Sequence, residues 1–368
     1  MALPRPRPGI LEITPYVGGK SDSATASGPI AKLSSNESPL GPSPKAVAAY
    51  KGLAADLHRY PDGHCAALCQ AIGRRHNLDP DAIVCGAGSD ELIGLLVRAY
   101  AGPGDEVLYS RHGFLMYPLA ALAAGAQPVA APEIDLKADV DSLLEHVTSR
   151  TRLVFLANPN NPTGSYLTTA ELARLRAGLP EDVILVIDAA YAEYADAADY
   201  SSGLDLARST PNTVSMRTFS KLYGLAALRL GWMTGAPALI DVMHRVRGPF
   251  NVSSAAQAAG VAALEDVEHA ERARAHNARW LPWLSGEIAK LGLRVHPSQG
   301  NFILIEFPEG AGRDAAAANA HLERRGIIPR QMGGYGLARC LRLSIGLEEE
   351  NRRVVDALAE FVAGRAHG

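Results

Sequence analysis

The sequence predicts an α/β fold: a mostly parallel sheet covered by helices, followed by a smaller α+β unit. Three observations point there. Short apolar runs alternate with helical stretches from about residue 82 to residue 187, the pattern of a sheet buried on both faces. From about residue 255 this gives way to a long helical stretch rich in Ala, Glu and Arg, with shorter strands and helices after it. A chain of 368 residues also exceeds what one hydrophobic core usually supports.

Residues 1–35 are rich in Pro, Gly and Ser without periodicity, so they read as an extended arm, with Tyr16 in ITPYVGG packing it against the body. In KLSSNESPLGPSP, Asn36 and Glu37 precede a cluster of Pro and Gly, which makes a loop whose polar side chains can face a ligand. Residues 45–57 fit a helix ended by the turn His58-Arg59-Tyr60-Pro61-Asp62-Gly63, and residues 64–77 suit another. A strand at 82–85 then runs into Gly86-Ala87-Gly88-Ser89-Asp90-Glu91. Strand, glycine loop and helix N-terminus together cradle an anion with free N–H groups and the positive dipole end. The loop lacks the Lys-Ser/Thr of a Walker loop and a full GxGxxG, so one phosphate monoester suits it better than a nucleotide.

Alternation continues through 106–109, 117–124, 127–130, 140–146, 153–156, 170–177 and 183–187. The strand at 153–156 leads into Ala157-Asn158-Pro159-Asn160-Asn161-Pro162-Thr163-Gly164, a turn that offers amides to a ligand. The strand at 183–187 ends on Asp188, with Tyr191 three residues on. In parallel sheets ligands gather at such carboxyl ends. Asp188 there is either satisfied by backbone or paired with a cation. Beyond the helical stretch at 255–291, strands fit 293–295, 302–305 and 340–344, and helices fit 315–325 and 348–363. Arg342 faces away from Leu341 and Leu343 on its strand, and either pairs with an acidic neighbour or grips a ligand carboxylate.

Composition bounds the function. Hydrophobic residues make up 47% and charged residues 20%, and a formal net charge of -3 leaves no footprint for nucleic acid or an anionic membrane. Cys65, Cys69, Cys85 and Cys340 lack the spacing of a zinc site, so no metal is expected and the thiols read as reduced. MALPRPRPGI has no apolar run of a signal peptide, and no stretch reaches about 18 apolar residues. The expectation is a cytoplasmic protein without membrane contact.

The stretch most able to carry chemistry is TVSMRTFSKLYGLAALRLGW, residues 213–232. Lys221 sits among Phe219, Leu222, Tyr223, Leu225 and Leu228. It is either an ordinary half-buried lysine in a turn or an amine whose desolvation lowers its pKa and frees it to attack a carbonyl. Thr218, Ser220 and Arg229 are groups that hold a phosphate dianion.

NPNNPTG, the Asp188/Tyr191 pair and SKxxGLAxLRxGW together resemble the fold-type I aminotransferases of pyridoxal phosphate. ITPYVGGK, KLSSNESPLGPSP, HRYPDG, GAGSDE, RGPFNVS, SQGNFI and LRLSIG are similar to the histidinol-phosphate aminotransferase family, in that family's order from about Tyr16 to Gly346. The resemblance implies an arm at 1–35, a large pyridoxal-phosphate domain with a seven-stranded sheet at 36–265 and a small α+β domain at 266–368. It implies that Lys221 is the Schiff-base lysine and proton shuttle, that Asp188 pairs with the pyridine nitrogen, and that Asn161 and Tyr191 bond the phenolic oxygen. Ser89, Asp90, Thr218, Ser220 and Arg229 would hold the cofactor phosphate, with Tyr60 reaching in from a second subunit, and Phe114 would stack on the ring. Arg342, with Asn36 nearby, would bind the carboxylate of glutamate and 2-oxoglutarate, and Arg330 with Tyr16 of the partner's arm the phosphate of histidinol phosphate. A homodimer with shared sites follows. Asp188-Ala189-Ala190-Tyr191 departs from the Asp-Glu-Ala-Tyr of many members, which bears on substrate preference. Aromatic amino acid transamination, decarboxylation of a threonine phosphate and a ligand-binding module that has lost catalysis are the rival readings.

Overall fold

The computed structural model describes residues 5–364 apart from Thr25, Ser27 and Ala311, so the first four residues of the expected arm lie outside the described residues. Seven strands form the main sheet: β1 (Ile83–Gly86), β2 (Glu106–Ser110), β3 (Gln127–Ala131), β4 (Thr151–Ala157), β5 (Ile184–Asp188), β6 (Thr213–Thr218) and β7 (Gly231–Gly235). Their order across the sheet is β1-β7-β6-β5-β4-β2-β3. Only β7 runs antiparallel to its neighbours; the remaining pairs are parallel.

Burial on both faces explains the continuous apolar runs. Successive residues Val154 and Phe155 of β4 fall into different cores, as do Leu185 and Val186 of β5. Phe155 and Val186 pack with Leu92 and Tyr117, whereas Val154 and Leu185 pack with Leu143 and Leu172. The register sets Ala157 beside Asp188 and Asp188 beside Met216, so β4 and β5 end level and β6 runs on past them to Thr218 at the same edge. Strands β6 and β7 lie outside the alternation read from the sequence. Their segments, TVSMRT and GWMTG, mix polar residues and glycine with apolar ones, although every residue in them is buried.

A second sheet of four antiparallel strands runs in the order Arg294–His296, Phe302–Glu306, Cys340–Ser344, Arg330–Gln331. The arm is less irregular than expected. Ala31–Lys32 pairs in parallel with Ile327–Ile328, and Lys20 meets Glu323 at 2.9 Å. The helix expected over 45–57 stops at Gly52; the residues that follow are mostly exposed, with no core face to reward continuation.

The helical stretch expected as one piece is two helices, Ser254–Glu265 and Val267–Lys290, joined at Asp266. Aspartate competes with a continuing helix because its side chain can cap a new one. Here the Asp266 carboxylate accepts from the Ser43 hydroxyl at 2.6 Å and from the His269 N–H at 3.4 Å. The second helix contributes Ala270 and Ala273 to a core beside the main sheet and Trp280, Leu284 and Ile288 to the core of the smaller sheet. All four cysteines are free and buried. Among the described residues no helix is long and apolar enough to cross a membrane, and no cluster could hold a metal ion.

Asp266→Ala should cost about 1–2 kcal/mol of folding free energy, the value of a good N-cap. Asp266→Asn, an equally good cap, should recover most of it. Urea midpoints of the two variants check this, and equal losses would show that the Asp266 charge matters rather than the cap.

Candidate active site

A cavity of about 320 Å³ opens at the carboxyl edge of β4, β5 and β6, under the second sheet. Three elements of the main sheet end in it. β5 ends on Asp188, 5% exposed, whose Oδ2 accepts from the Tyr117 hydroxyl at 2.9 Å. Its Oδ1 is buried with no hydrogen-bond partner among the described residues. Burial pushes the Asp188 carboxyl up to about 6, with the Tyr117 hydrogen bond working the other way. A buried acceptor left over in this way calls for a donor from a ligand.

After β6 comes the turn of Ser220 and Lys221. Gly224 there has φ 66, and a Cβ on it would lie 2.4 Å from the Gly41 carbonyl oxygen, so only glycine lets this turn seat against the loop of residues 36–42. Lys221 Nζ donates to the Ser35 carbonyl at 3.1 Å and lies 5.7 Å from the centre of the Tyr191 ring. Desolvation first, then the Arg342 charge, lowers its pKa to about 7, which makes it an amine that is neutral for much of the physiological range.

The third component is an anion cradle. The helix Ser89–Tyr100 starts at the cavity, capped by Gly88 at φ 90. A Cβ on Gly231 of β7 would sit 2.4 Å from the Ser89 nitrogen, so glycine there allows the helix start to lie directly on the strand. Arg229, in the left-handed region at φ 52, turns its guanidinium onto Asp90 at 2.5 Å, and Thr218 and Ser220 complete the wall. Free helix amides with a guanidinium and two hydroxyls suit a phosphate.

From the other side the second sheet contributes Arg342, 6% exposed, held by Asn161 Oδ1 and by the Ser34 carbonyl at 2.9 Å. Arg330 stands directly opposite Arg342 on the neighbouring strand. Arg330 donates to the Val17 carbonyl at 2.5 Å and lies 5.6 Å from the centre of the Tyr16 ring. Like charges placed across a ladder oppose folding, so the pair makes sense where an anionic ligand sits between them. Asn36, at φ 54, is fixed by Ser344 and donates to the Tyr191 hydroxyl at 2.9 Å. Burial pushes that phenol up to about 12.

Fourteen of the fifteen residues singled out in the sequence line this cavity: Tyr16, Asn36, Ser89, Asp90, Phe114, Asn161, Asp188, Tyr191, Thr218, Ser220, Lys221, Arg229, Arg330 and Arg342. Tyr60 does not; it is 82% exposed and stacks on Phe250 at 4.7 Å. Tyr16 corrects one expectation, because it reaches the cavity from its own chain's arm. Ala189 is fully buried outside the lining and Ala190 faces the cavity, so the departure at Ala189 makes no contact there. Sequence reasoning missed the role of Tyr117. No local signal marks it, because Tyr117 opens an apolar helix, Met116–Ala124, and reads there as core.

The cradle, the orphaned Asp188 oxygen and the desolvated amine fit a pyridine aldehyde that carries a phosphate, as pyridoxal phosphate does. Comparison with known proteins agrees. Residues 29–358 match the family model "Aminotransferase class I and II". The chain is 59% identical over 362 residues to the histidinol-phosphate aminotransferase of Paramagnetospirillum magneticum, covering 98% of this chain and 99% of the relative. To that of Rhodospirillum centenum it is 57% identical over 364 residues, covering 99% and 100%. The crystal structure of histidinol-phosphate aminotransferase from Sinorhizobium meliloti with pyridoxal 5'-phosphate superposes with a TM-score of 0.88 at 30% identity, covering 99% of both chains.

In the cofactor-free protein, trinitrobenzenesulfonate should modify Lys221 at a rate that rises with pH, is half-maximal near 7 and is level by about 9. Only the neutral amine reacts, and an ordinary lysine would reach half-maximum near 10.4. Peptide mapping against pH reads this out, and a Lys221 profile still climbing at pH 9.5 would show that the amine is not desolvated.

Proposed function

The chain belongs to the class I and II aminotransferases, with pyridoxal phosphate as cofactor, and from that premise we propose that it moves an amino group between glutamate and imidazole acetol phosphate, giving 2-oxoglutarate and histidinol phosphate. The observation that carries the substrate assignment is the cross-strand pair of Arg330 and Arg342 at the cavity. The two substrates share one amino-transfer centre but carry different anions, and two guanidinium groups with separate anchors can serve them. The relatives of known name support the same reading.

The bound cofactor supplies an aldehyde that takes up the amino group and a ring that draws off electrons. The protein's part follows from the geometry. Ser89, Asp90, Thr218, Ser220 and Arg229 would hold the phosphate end, largely through the amides at the helix start. Asp188 would hold the ring nitrogen protonated, Asn161 and Tyr191 would hold the phenolic oxygen, and Phe114 would cover the ring. Lys221 would be the residue that holds the aldehyde end, and its Nζ would carry the proton, a task suited to an amine neutral near pH 7. Arg342, held by Asn161 and Ser34, meets the carboxylate of glutamate with the Asn36 loop beside it. Arg330 and Tyr16 meet the substrate phosphate.

The proposal includes a division into an arm at 1–35, a cofactor-binding unit at 36–265 and a small unit at 266–368, residence in the cytoplasm, and a homodimer with shared sites. Tyr60 supports the dimer: it is a large aromatic side chain left exposed beside Phe250, next to no part of its own chain's cavity.

Arg330→Ala should lower kcat/KM for histidinol phosphate by roughly 10–150-fold and leave phenylalanine nearly untouched, because only the former carries a dianion that loses its charge-assisted contact. Steady-state kinetics with both substrates check it; equal losses would make Arg330 structural, and a wild type that turns over phenylalanine better would favour the aromatic reading. For the shared site, Lys221→Ala and Tyr60→Ala subunits refolded together should recover activity well above either variant alone. A heterodimer then holds one site with both residues intact. No recovery would place Tyr60 at its own chain's site.

A further inference from the structure

Among the described residues, Tyr117 is the only side chain that donates a hydrogen bond to Asp188, and the proposed reaction assigns it no task. It lies on the helix Met116–Ala124 and is fully buried. Its ring stacks on Phe155 of β4, with centroids 4.7 Å apart and planes 15° apart, and meets Phe114 edge-on at 6.0 Å and 88°. A Cβ on Gly113 would already stand 3.4 Å from the ring, so the backbone closes on it from that side as well. A tyrosine packed this way has no freedom to take its hydroxyl elsewhere, and the hydroxyl stands 2.9 Å from Asp188 Oδ2.

The consequence is an asymmetry between the two oxygens of Asp188. Oδ2 is occupied, whereas Oδ1 is buried with no hydrogen-bond partner among the described residues, on a side chain that lines the cavity. Without the tyrosine hydroxyl the carboxylate could turn about its last bond or take a proton. We propose that Tyr117 is the positioning residue for the ring-nitrogen contact: by fixing Oδ2 it leaves Oδ1 as the oxygen presented, ionised, to the cofactor. Through its edge contact with Phe114 the same ring also sets the side chain that covers the cofactor face. This rests on the aminotransferase reading above and assigns a role to a residue that reading leaves idle.

The charge of Asp188 is opposed from one side and favoured from another. Asp90 from the cradle helix repels it, the Ala190 backbone N–H and Lys221 after β6 favour it, and the phenols of Tyr191 and Tyr200 stand near enough to feel it. Burial holds the carboxyl at about 6, and Tyr117 is the largest influence holding it down. Sign follows directly: removing the hydroxyl raises that value further, so ionisation is lost at a higher pH than in the wild type.

The test is Tyr117→Phe in the full-length protein, which keeps the ring and deletes only the hydroxyl. Affinity is measured by fluorescence titration for pyridoxal phosphate and for its 1-deaza analogue, which has carbon in place of the ring nitrogen. We expect the affinity for pyridoxal phosphate to fall roughly 10-fold, the worth of one hydrogen bond to a charged group, with that for the analogue unchanged. The acid limb of pyridoxal phosphate binding should move to higher pH. In an Asp188→Asn background the same substitution should add no further loss of selectivity. Tyr117→Leu, which also lacks the ring that sets Phe114, covers the case that Tyr117→Phe does not fold: it must lose affinity for pyridoxal phosphate by the same factor more than for the analogue, beyond any loss common to both. Equal losses for both ligands, no loss, or an unmoved acid limb would overturn the proposal. A wild type that does not prefer pyridoxal phosphate over the analogue would instead overturn the assignment of Asp188 to the ring nitrogen, and the role of Tyr117 with it.

Discussion

The site depends on keeping one carboxylate out of water at the edge of a sheet. Asp188 ends a strand with no polar side chain before it, and its neighbours in register are Ala157 and Met216. Such burial costs free energy unless the charge finds partners. One oxygen has the Tyr117 hydroxyl; the other has no hydrogen-bond partner among the described residues. The sheet order makes this possible, because β4, β5 and β6 run parallel side by side and end at the same edge, so that the asparagine turn, the aspartate and the lysine turn converge.

The same logic of desolvation separates the site's two titrating groups. Burial raises Asp188 to about 6 and lowers Lys221 to about 7, which brings a carboxylic acid and an amine within a narrow range of each other near neutrality. Neither shift arises from a direct pairing of the two. Asp188 is tied to Tyr117, and Lys221 is tied to the Ser35 carbonyl. An ion pair between them would stabilise both charges and leave neither for chemistry.

The loop of Ser34, Ser35 and Asn36 links the two sheets. Its carbonyls accept from Arg342 and Lys221, and its Asn36 side chain donates to Tyr191 while its backbone N–H meets Ser344. A residue at φ 54 is tolerated there because asparagine enters the left-handed region with little penalty. The helix Val267–Lys290 supplies the second link, since its two ends belong to different cores. Substrate-facing groups on the second sheet are thereby placed over cofactor-facing groups on the first.

Much of this was legible in the residues alone. Apolar runs gave five strands of the main sheet, and the glycine loop, the asparagine turn, Asp188 and the lysine turn each carry local chemistry that survives any reading of the fold. What sequence could not supply is the relation between distant segments. That Arg330 stands across a ladder from Arg342, that Asp266 breaks a helix by reaching back to Ser43, and that Tyr60 points away from the cavity while Tyr16 enters it are facts of tertiary packing. Strands β6 and β7 were hidden because burial at the centre of a sheet tolerates serine, threonine and glycine whose polar groups are satisfied by neighbours. Tyr117 escaped notice for the related reason that an apolar-flanked tyrosine on a helix looks like core, and only the approach of β5 reveals that its hydroxyl has a carboxylate to hold. Local sequence fixes which groups are present and what each can do; which of them meet is settled when the chain closes around its cores and distance along it ceases to matter.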